Sequence, residues 1–188
     1  MNTKIIVNYY PGSVGDAFIA HTFPFIKYLM NDDKSYRLIN VFGLKNPNWP
    51  KEISKEEILY QIEKYKIITC HRFEEFDFSF IPNVKVISID PSGYEKEISL
   101  RNLTKLKYGK KDFATVKSQA GKILTLSLEC KEWKKTQILK TDIVLSLADL
   151  INHQNKYFIE WKNQNNLNEL EDLSDEFYQH LKKSLNLE

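Results

Sequence analysis

Short apolar runs that alternate with helix-like segments constrain the fold of this chain more than any other feature. Three of the runs, Lys4–Tyr9 (KIIVNY), Ile67–Cys70 (IITC) and Val84–Ile89 (VKVISI), consist mostly of β-branched, aromatic or small residues. Strands that are apolar on both faces are typical of parallel sheets covered by helices on two sides. Asp142–Leu147 (DIVLSL) is a fourth run of this kind. We therefore predict an α/β fold with a mostly parallel sheet flanked by helices.

The segments between these runs carry helical spacing and helix-start signals. The predicted helices cover four segments, at about Val14–Met30, Ser54–Tyr65, Glu95–Lys107 and Lys111–Lys135. The second of them starts with the S-x-x-E spacing of a capping box. A further strand is predicted at Tyr36–Phe42, and helices with a break near residues 164–166 are predicted over Leu150–Leu185.

The length and composition of the chain indicate one folded domain. The chain has 188 residues, of which 42% are hydrophobic, so it can bury a substantial core. We expect a single α/β domain over residues 1–188, with the sheet and its crossover helices at 4–150 and C-terminal helices at 151–188. The net charge of +2 gives no electrostatic argument for a nucleic-acid partner, and none is expected.

The cysteines and the apolar runs bear on the cell compartment. Cys70 and Cys130 belong to no C-x-x-C pair, which predicts reduced thiols and neither a zinc site nor any other metal site. No apolar run approaches the ~18 residues of a membrane span or the length of a signal peptide. These features favour a cytoplasmic protein without a membrane span. The apolar stripe of the last predicted helix either packs on the core or forms the face of a homodimer.

The loop after the first predicted strand, Tyr10–Asp16, is the leading candidate for a site. A strand, a glycine turn and a helix start together favour bound anions, although the same residues can also serve only to turn the chain. The nucleotide P-loop G-x-x-x-x-G-K-[ST] is disfavoured, because Asp16 follows Gly15 where lysine is required. In parallel sheets, ligands bind beyond the C-terminal strand ends, which adds His71–Phe73 and Asp90–Tyr94 as candidate loops.

The order of several motifs resembles the sulfotransferase family. Tyr10–Ser13 (YPGS) resembles the family's Y-P-K-S-G-T loop, and Ile67–Phe73 (IITCHRF) resembles its I-K-T-H-L-P segment. Val84–Pro91, followed by Ser99, is similar to K-V-I-Y-V-x-R-N-P-K-D-x-x-x-S, and Ile143–Leu150 is similar to the late Y-E-D-L segment. The resemblance spans about residues 4–165 and implies a P-loop, sulfotransferase-like fold.

The resemblance implies a function and the residues that serve it. The function is transfer of a sulfuryl group from 3′-phosphoadenosine 5′-phosphosulfate (PAPS), a nucleotide cofactor, to a small hydroxyl acceptor. His71 corresponds to the catalytic base, and Ser99 with Arg101 are the expected contacts of the 3′-phosphate. The backbone that would hold the phosphosulfate belongs to the loop residues Gly12, Ser13, Val14, Gly15, Asp16 and Ala17.

The chain also departs from the family pattern at two cationic positions. Gly12 replaces the loop lysine, and Pro91 stands at the arginine that contacts the 3′-phosphate in the family. Charge-assisted contacts of this kind contribute roughly 1.5–3 kcal/mol each. Other cations can take their place, and the candidates near the matched motifs are Arg72, Arg101 and Lys105.

Two alternatives come from other classes of protein. Ser13–Asp16 (SVGD) is similar to the S-x-G-D near the start of heptosyltransferase-type glycosyltransferases, in which the aspartate lies at the acceptor site. That resemblance implies a chain that corresponds to one half of a two-domain enzyme, with Asp16 as the candidate base. The second alternative is a non-catalytic module with a degenerate site that binds a nucleotide or a protein, and the missing lysine and arginine support it.

Overall fold

The protein's structure is a computed structural model that describes residues 3–13, 15–23, 54–71, 77–103, 120–138 and 141–187. Within these ranges the chain forms one parallel sheet of four strands, β1 (Lys4–Tyr9), β2 (Ile67–Cys70), β3 (Val84–Asp90) and β4 (Ile143–Ser146). The predicted α/β fold with a parallel sheet is confirmed, and each strand lies within one residue of its predicted bounds.

The order of the described strands is β2-β1-β3-β4. Asn8 of β1 is paired with Cys70 on one side and with Ser88 on the other, and Asp90 of β3 is paired with Ser146. The chain therefore passes from β1 to one side for β2, and then crosses to the other side for β3. In parallel sheets, ligands bind at the C-terminal ends of the two strands beside such a reversal of direction, here β1 and β3, and we call this position the switch point.

Helices account for most of the remaining described residues: α1 (Gly15–Thr22), α2 (Lys55–Tyr65), α3 (Glu95–Asn102), α4 (Ala120–Gln137), α5 (Leu147–Gln164) and α6 (Asp175–Leu185). The predicted cap of α2 is confirmed, because the Ser54 side chain accepts a hydrogen bond from the Glu57 N–H at 3.2 Å. The helical C-terminal part of the chain is confirmed as well.

Two helix boundaries differ from their predicted positions. Helix α5 starts at Leu147, three residues before the predicted Leu150, because Ser146 caps it by accepting a hydrogen bond from the Asp149 N–H. The predicted break in the C-terminal helices is longer than expected. It extends to Ser174, which caps α6 by accepting from the Phe177 N–H.

Several predictions fall outside the described residues. These are the strand at Tyr36–Phe42, parts of three predicted helices at 24–30, 104–107 and 111–119, the loop position Val14, and the cations Arg72 and Lys105.

The sheet separates two groups of buried side chains, because successive residues of a strand point to opposite faces. On one face, Ile6, Ile68 and Val86 pack with Ile58 and Ile62 of α2. The larger cluster on the other face joins the strands to α1, α4, α5 and α6, and includes Ile5, Val7, Tyr9, Phe18, Ile87, Cys130, Trp133, Phe158 and Phe177. The two cysteines lie in different clusters, Cys70 in the smaller one and Cys130 in the larger one.

Helix α5 covers the outer side of β4. Among the described strands, β4 pairs only with β3. On its other side the Trp161 indole donates to the Val144 carbonyl at 2.7 Å, and the Ser146 N–H donates to the Tyr157 hydroxyl at 3.0 Å. The next residue of α5, Lys162, donates to the Leu170 carbonyl at 2.8 Å and so holds the segment that precedes α6. In the ranges that the structure describes, no helix combines the length and the apolar character needed to cross a membrane.

Candidate functional site

The C-terminal ends of β1, β2 and β3 bring the three predicted loops to one edge of the sheet. The turn after Tyr9, the residue His71 after β2 and the segment after Asp90 lie next to one another there, since the strands are parallel and adjacent. This edge contains the switch point between β1 and β3, and we take it as the candidate site.

The chain leaves β1 through a tight turn at Tyr10–Ser13. The Ser13 N–H donates to the Tyr10 carbonyl at 3.0 Å, and Gly12 has a φ of +90°. With Pro11 in the preceding position, these features define a type II turn, which requires glycine or asparagine at this point. The Ser13 hydroxyl donates to the same carbonyl at 2.7 Å. Both hydrogen-bond donors of Ser13 are therefore used within the turn.

The C-terminal end of α3 is bound to this turn. The Asn102 amide donates to the Pro11 carbonyl at 2.7 Å, and Arg101 donates to the Gly12 carbonyl at 2.6 Å. A Cβ atom at Gly12 would lie 2.2 Å from Asn102 Oδ1, so any side chain there conflicts with α3. A lysine at position 12 would conflict with the Asn102 side chain in this arrangement, and among the described residues Arg101 is a cation whose hydrogen bond reaches the turn.

Gly15 allows helix α1 to begin directly against the Tyr9 ring. A Cβ atom at Gly15 would lie 2.3 Å from Tyr9 Cγ. Helix α1 runs from Gly15 and includes Asp16 and Ala17 in its first turn, where backbone N–H groups have no partner within the helix. The N-terminus of α1 therefore brings backbone donors to the candidate site.

His71 is buried at the end of β2, with 7% of its surface exposed. Its Nδ1 lies 2.6 Å from the Tyr9 carbonyl, and its ring meets the Tyr9 ring edge-on at 4.5 Å. A carbonyl only accepts, so Nδ1 carries the proton and the lone pair of the neutral ring is on Nε2. His71 thus has the tautomer that a proton acceptor at Nε2 requires.

Ser99 lies between α3 and α4, away from the Tyr10–Ser13 turn. It is fully buried, and its hydroxyl donates to the Glu95 carbonyl and lies 3.2 Å from the Ser127 hydroxyl of α4. These contacts place the Ser99 side chain in the packing between α3 and α4. Of the two residues expected at the 3′-phosphate, the structure brings Arg101 to the turn and leaves Ser99 in the helix interface.

Helix α4 crosses the same edge and contacts the ends of three strands. The Trp133 indole donates to the His71 carbonyl, and its ring lies 5.8 Å from the Tyr10 ring. The next residue, Lys134, forms an ion pair with Asp90 at 3.0 Å and donates to the Ser92 hydroxyl. Sequence reasoning did not identify Trp133 or Lys134, because nothing in a helical pattern marks which side chains meet a distant strand.

Burial raises the pKa of two ionisable groups at this edge, Tyr10 after β1 and Cys130 of α4. It raises the pKa of the Tyr10 phenol, and Cys130 and Glu129 act in the same direction. Burial also raises the pKa of the Cys130 thiol to about 12, with smaller contributions from Glu95 and Asp90. Both groups are therefore neutral near pH 7, and the Cys130 thiol is a poor nucleophile in the folded protein.

Among the residues that the structure describes, no group of three or more histidine, cysteine or carboxylate side chains could hold a metal ion. Comparisons of the chain with protein-family models, with curated protein sequences and with solved structures gave no match.

Proposed function

We propose that the protein is a sulfotransferase-like, nucleotide-binding transferase whose site lies at the C-terminal end of β1. One observation carries the proposal: residues from two distant segments converge on the same strand end. His71 bonds to the Tyr9 carbonyl across 62 positions of the chain, and Arg101 bonds to the Gly12 carbonyl across 89. This convergence joins a proton acceptor, a cation and a helix N-terminus at the switch point between β1 and β3.

The residues at this edge fit one end of PAPS better than the other. The N-terminus of α1 and the Arg101 guanidinium suit the anionic phosphosulfate. Ser99 does not fit the 3′-phosphate, because its hydroxyl is used between α3 and α4. When bound, PAPS supplies the activated sulfuryl group for the transfer.

The proposed role of His71 is to accept the proton of the acceptor hydroxyl at Nε2. The bond from Nδ1–H to the Tyr9 carbonyl fixes the ring orientation. That bond strengthens when the ring becomes cationic, because hydrogen bonds from charged donors are stronger than neutral ones. Tyr9 thus supports the charged form through its backbone alone.

The first test is a thermal-shift titration with PAP, the desulfonated form of the cofactor, beside ADP, ATP and UDP. We expect PAP to raise the unfolding temperature more than the other three, because a ligand that binds only the folded state stabilises it. A response to UDP without a response to PAP would favour the glycosyltransferase alternative. The absence of any PAP response contradicts the proposal.

The second test separates binding from chemistry. His71→Asn keeps an N–H donor near the Tyr9 carbonyl and removes Nε2, so it should retain PAP binding and lose sulfuryl transfer by about 10²–10⁴-fold. His153→Asn, at an exposed position on α5, is the matched control and should leave both unchanged. Transfer that persists in His71→Asn would show that His71 is not the base.

A second candidate function is that of a non-catalytic binding module. The Tyr10–Ser13 turn favours it, because the N–H and the hydroxyl of Ser13 both donate to the Tyr10 carbonyl and are therefore not directed at a ligand. A protein of this kind would bind PAP or another nucleotide and transfer no sulfuryl group to any hydroxyl acceptor, with or without His71→Asn.

A further inference from the structure

The candidate site is closed in the structure. The exposed fractions are 4% for Tyr10, 1% for Ser13 and 7% for His71. A histidine that exchanges a proton with a substrate must meet it, so a site of this kind needs a way to open. Helix α4 contributes to the closure through Trp133 and Lys134, which contact the ends of β2, β1 and β3.

The attachments of α4 differ along its length. Its N-terminal half packs on α3 through a separate small apolar cluster of Leu100, Leu103 and Ile123. Its C-terminal half meets the strand ends through the indole hydrogen bond of Trp133 and the contacts of Lys134 with Asp90 and Ser92, and it buries Cys130, Trp133 and Gln137. The ion pair is partly exposed and therefore weak, and each hydrogen bond adds modestly.

We infer that the C-terminal half of α4 is a movable cover of the candidate site. In its open state, Cys130, Trp133 and Lys134 leave the strand ends while the sheet stays folded, and His71 and the Tyr10–Ser13 turn become accessible. Such sub-global openings draw on the least stable parts of a fold. The inference rests on the proposed function for the role of His71, but the labelling test below measures the opening itself, so failure of the opening and failure of the proposed function are distinguishable.

The two cysteines provide a direct measurement of this opening. Both are fully buried and neither forms a disulfide, Cys130 on α4 in the larger core cluster and Cys70 on β2 in the smaller one. Opening of α4 exposes Cys130 and leaves Cys70 covered by α2, whereas global unfolding exposes both. The full chain is used in two single-thiol forms, Cys70→Ala and Cys130→Ala, with a thiol-reactive disulfide as the probe.

The expected result is that Cys130 reacts in water at least about tenfold faster than Cys70. Its rate should also rise less steeply with urea, since the denaturant slope scales with the surface that an opening exposes. The raised pKa of the Cys130 thiol in the closed form ensures that its reaction reports the open form.

Substitutions in α4 sharpen the measurement. Lys134→Met removes the contacts with Asp90 and Ser92, and it should accelerate Cys130 labelling about two- to fivefold. Trp133→Phe keeps a ring beside Tyr10 and loses the hydrogen bond to the His71 carbonyl. Because of that loss, Cys130 labelling should accelerate about tenfold. Neither substitution should change the labelling rate of Cys70.

Lys135→Met is the matched control. Lys135 is the next residue of the same helix, its side chain is 72% exposed, and its ion pair is with Glu132 of α4 itself. It should leave both labelling rates unchanged. Two results would overturn the inference: equal rates and equal urea slopes for the two cysteines, or Cys130 labelling only within the global unfolding transition.

Discussion

Two strand-to-helix junctions lie at the same edge of the sheet and are built in different ways. At the end of β4, Ser146 is both the last strand residue and the cap of α5, and its partner is Asp149, three positions away. At the end of β1, the chain needs a turn with Gly12 in the left-handed region. That turn is held by Arg101 and Asn102, which lie 89 and 91 positions away in the chain.

The difference teaches where a site can form in this fold. The β4 junction depends on one serine and its own helix, so it is stable once the helix forms. The β1 junction depends on the docking of α3, and it is the one that adjoins the switch point between β1 and β3. A junction assembled from distant segments places groups together that no local pattern could supply, and it can be disrupted from any of those segments.

Of the substitutions at the two junctions, Gly12→Ala should lower the free energy of unfolding most. Alanine is strained at a φ of +90°, and its Cβ would lie 2.2 Å from Asn102 Oδ1. We expect the free energy of unfolding to fall by about 2 kcal/mol or more, measured by urea unfolding. An effect below ~0.5 kcal/mol would mean that the turn adapts, and that α3 does not fix it.

Two further variants separate the causes of that loss. Asn102→Ala, combined with Gly12→Ala, removes the clash and leaves the backbone strain, so the double variant should lose less than the sum of the two single losses. Gly121→Ala is the control, because a Cβ there meets nothing within 4 Å and the residue is helical. It should stabilise the protein by up to ~1 kcal/mol.

Substitution of the serine at either junction should lower the free energy of unfolding by less than Gly12→Ala does. Ser146→Ala removes the cap of α5 and should cost ~1 kcal/mol of stability. Ser13→Ala should cost only ~0.5 kcal/mol, since the Tyr10 carbonyl keeps its bond from the Ser13 N–H. Urea unfolding of both variants measures the difference. A larger loss of unfolding free energy for Ser13→Ala than for Ser146→Ala would contradict the view that the β4 junction depends on a local cap and the β1 junction on distant contacts.

Burial of Cys130 on α4 makes the stability of the fold depend on pH in the alkaline range and not near pH 7. The pKa of Cys130 is raised from 9.0 to about 12 in the folded state, so the unfolded chain loses this proton first. Stability from this group is complete below pH 9, and it is lost as the pH rises from 9 towards 12. We expect stability to fall above pH 9, and Cys130→Ala to flatten the curve between pH 9 and 10. A curve that stays flat to pH 10 in the unsubstituted protein would contradict this.

Local signals in the sequence predicted most of the described elements. The apolar runs gave strands within one residue of their bounds, and the S-x-x-E spacing at Ser54 gave the start of α2. These patterns depend on near neighbours in the chain, which a sequence displays directly. The start of α5 was placed three residues late, because the capping role of Ser146 is visible only when the end of β4 is known.

The candidate site was only partly predictable, because many of its contacts join residues that are distant in the chain. Loop position at parallel strand ends predicted that the Tyr10–Ser13 turn and His71 would be neighbours, and the structure brings them together. The contacts of Asn102, Trp133 and Lys134 depend on how α3 and α4 dock. The orientation of Ser99 also depends on that docking, since its hydroxyl faces Ser127.

The hydrogen bonds from α5 to β4 have a consequence for how this sheet meets other chains. An exposed sheet edge offers unpaired backbone groups to any extended segment, which is the usual route to strand addition and to aggregation. Here the outward carbonyl of Val144 and the outward N–H of Ser146 are already bonded to Trp161 and Tyr157. An incoming strand would have to displace both aromatic side chains, so the β4 side of the sheet is protected against extension by another molecule.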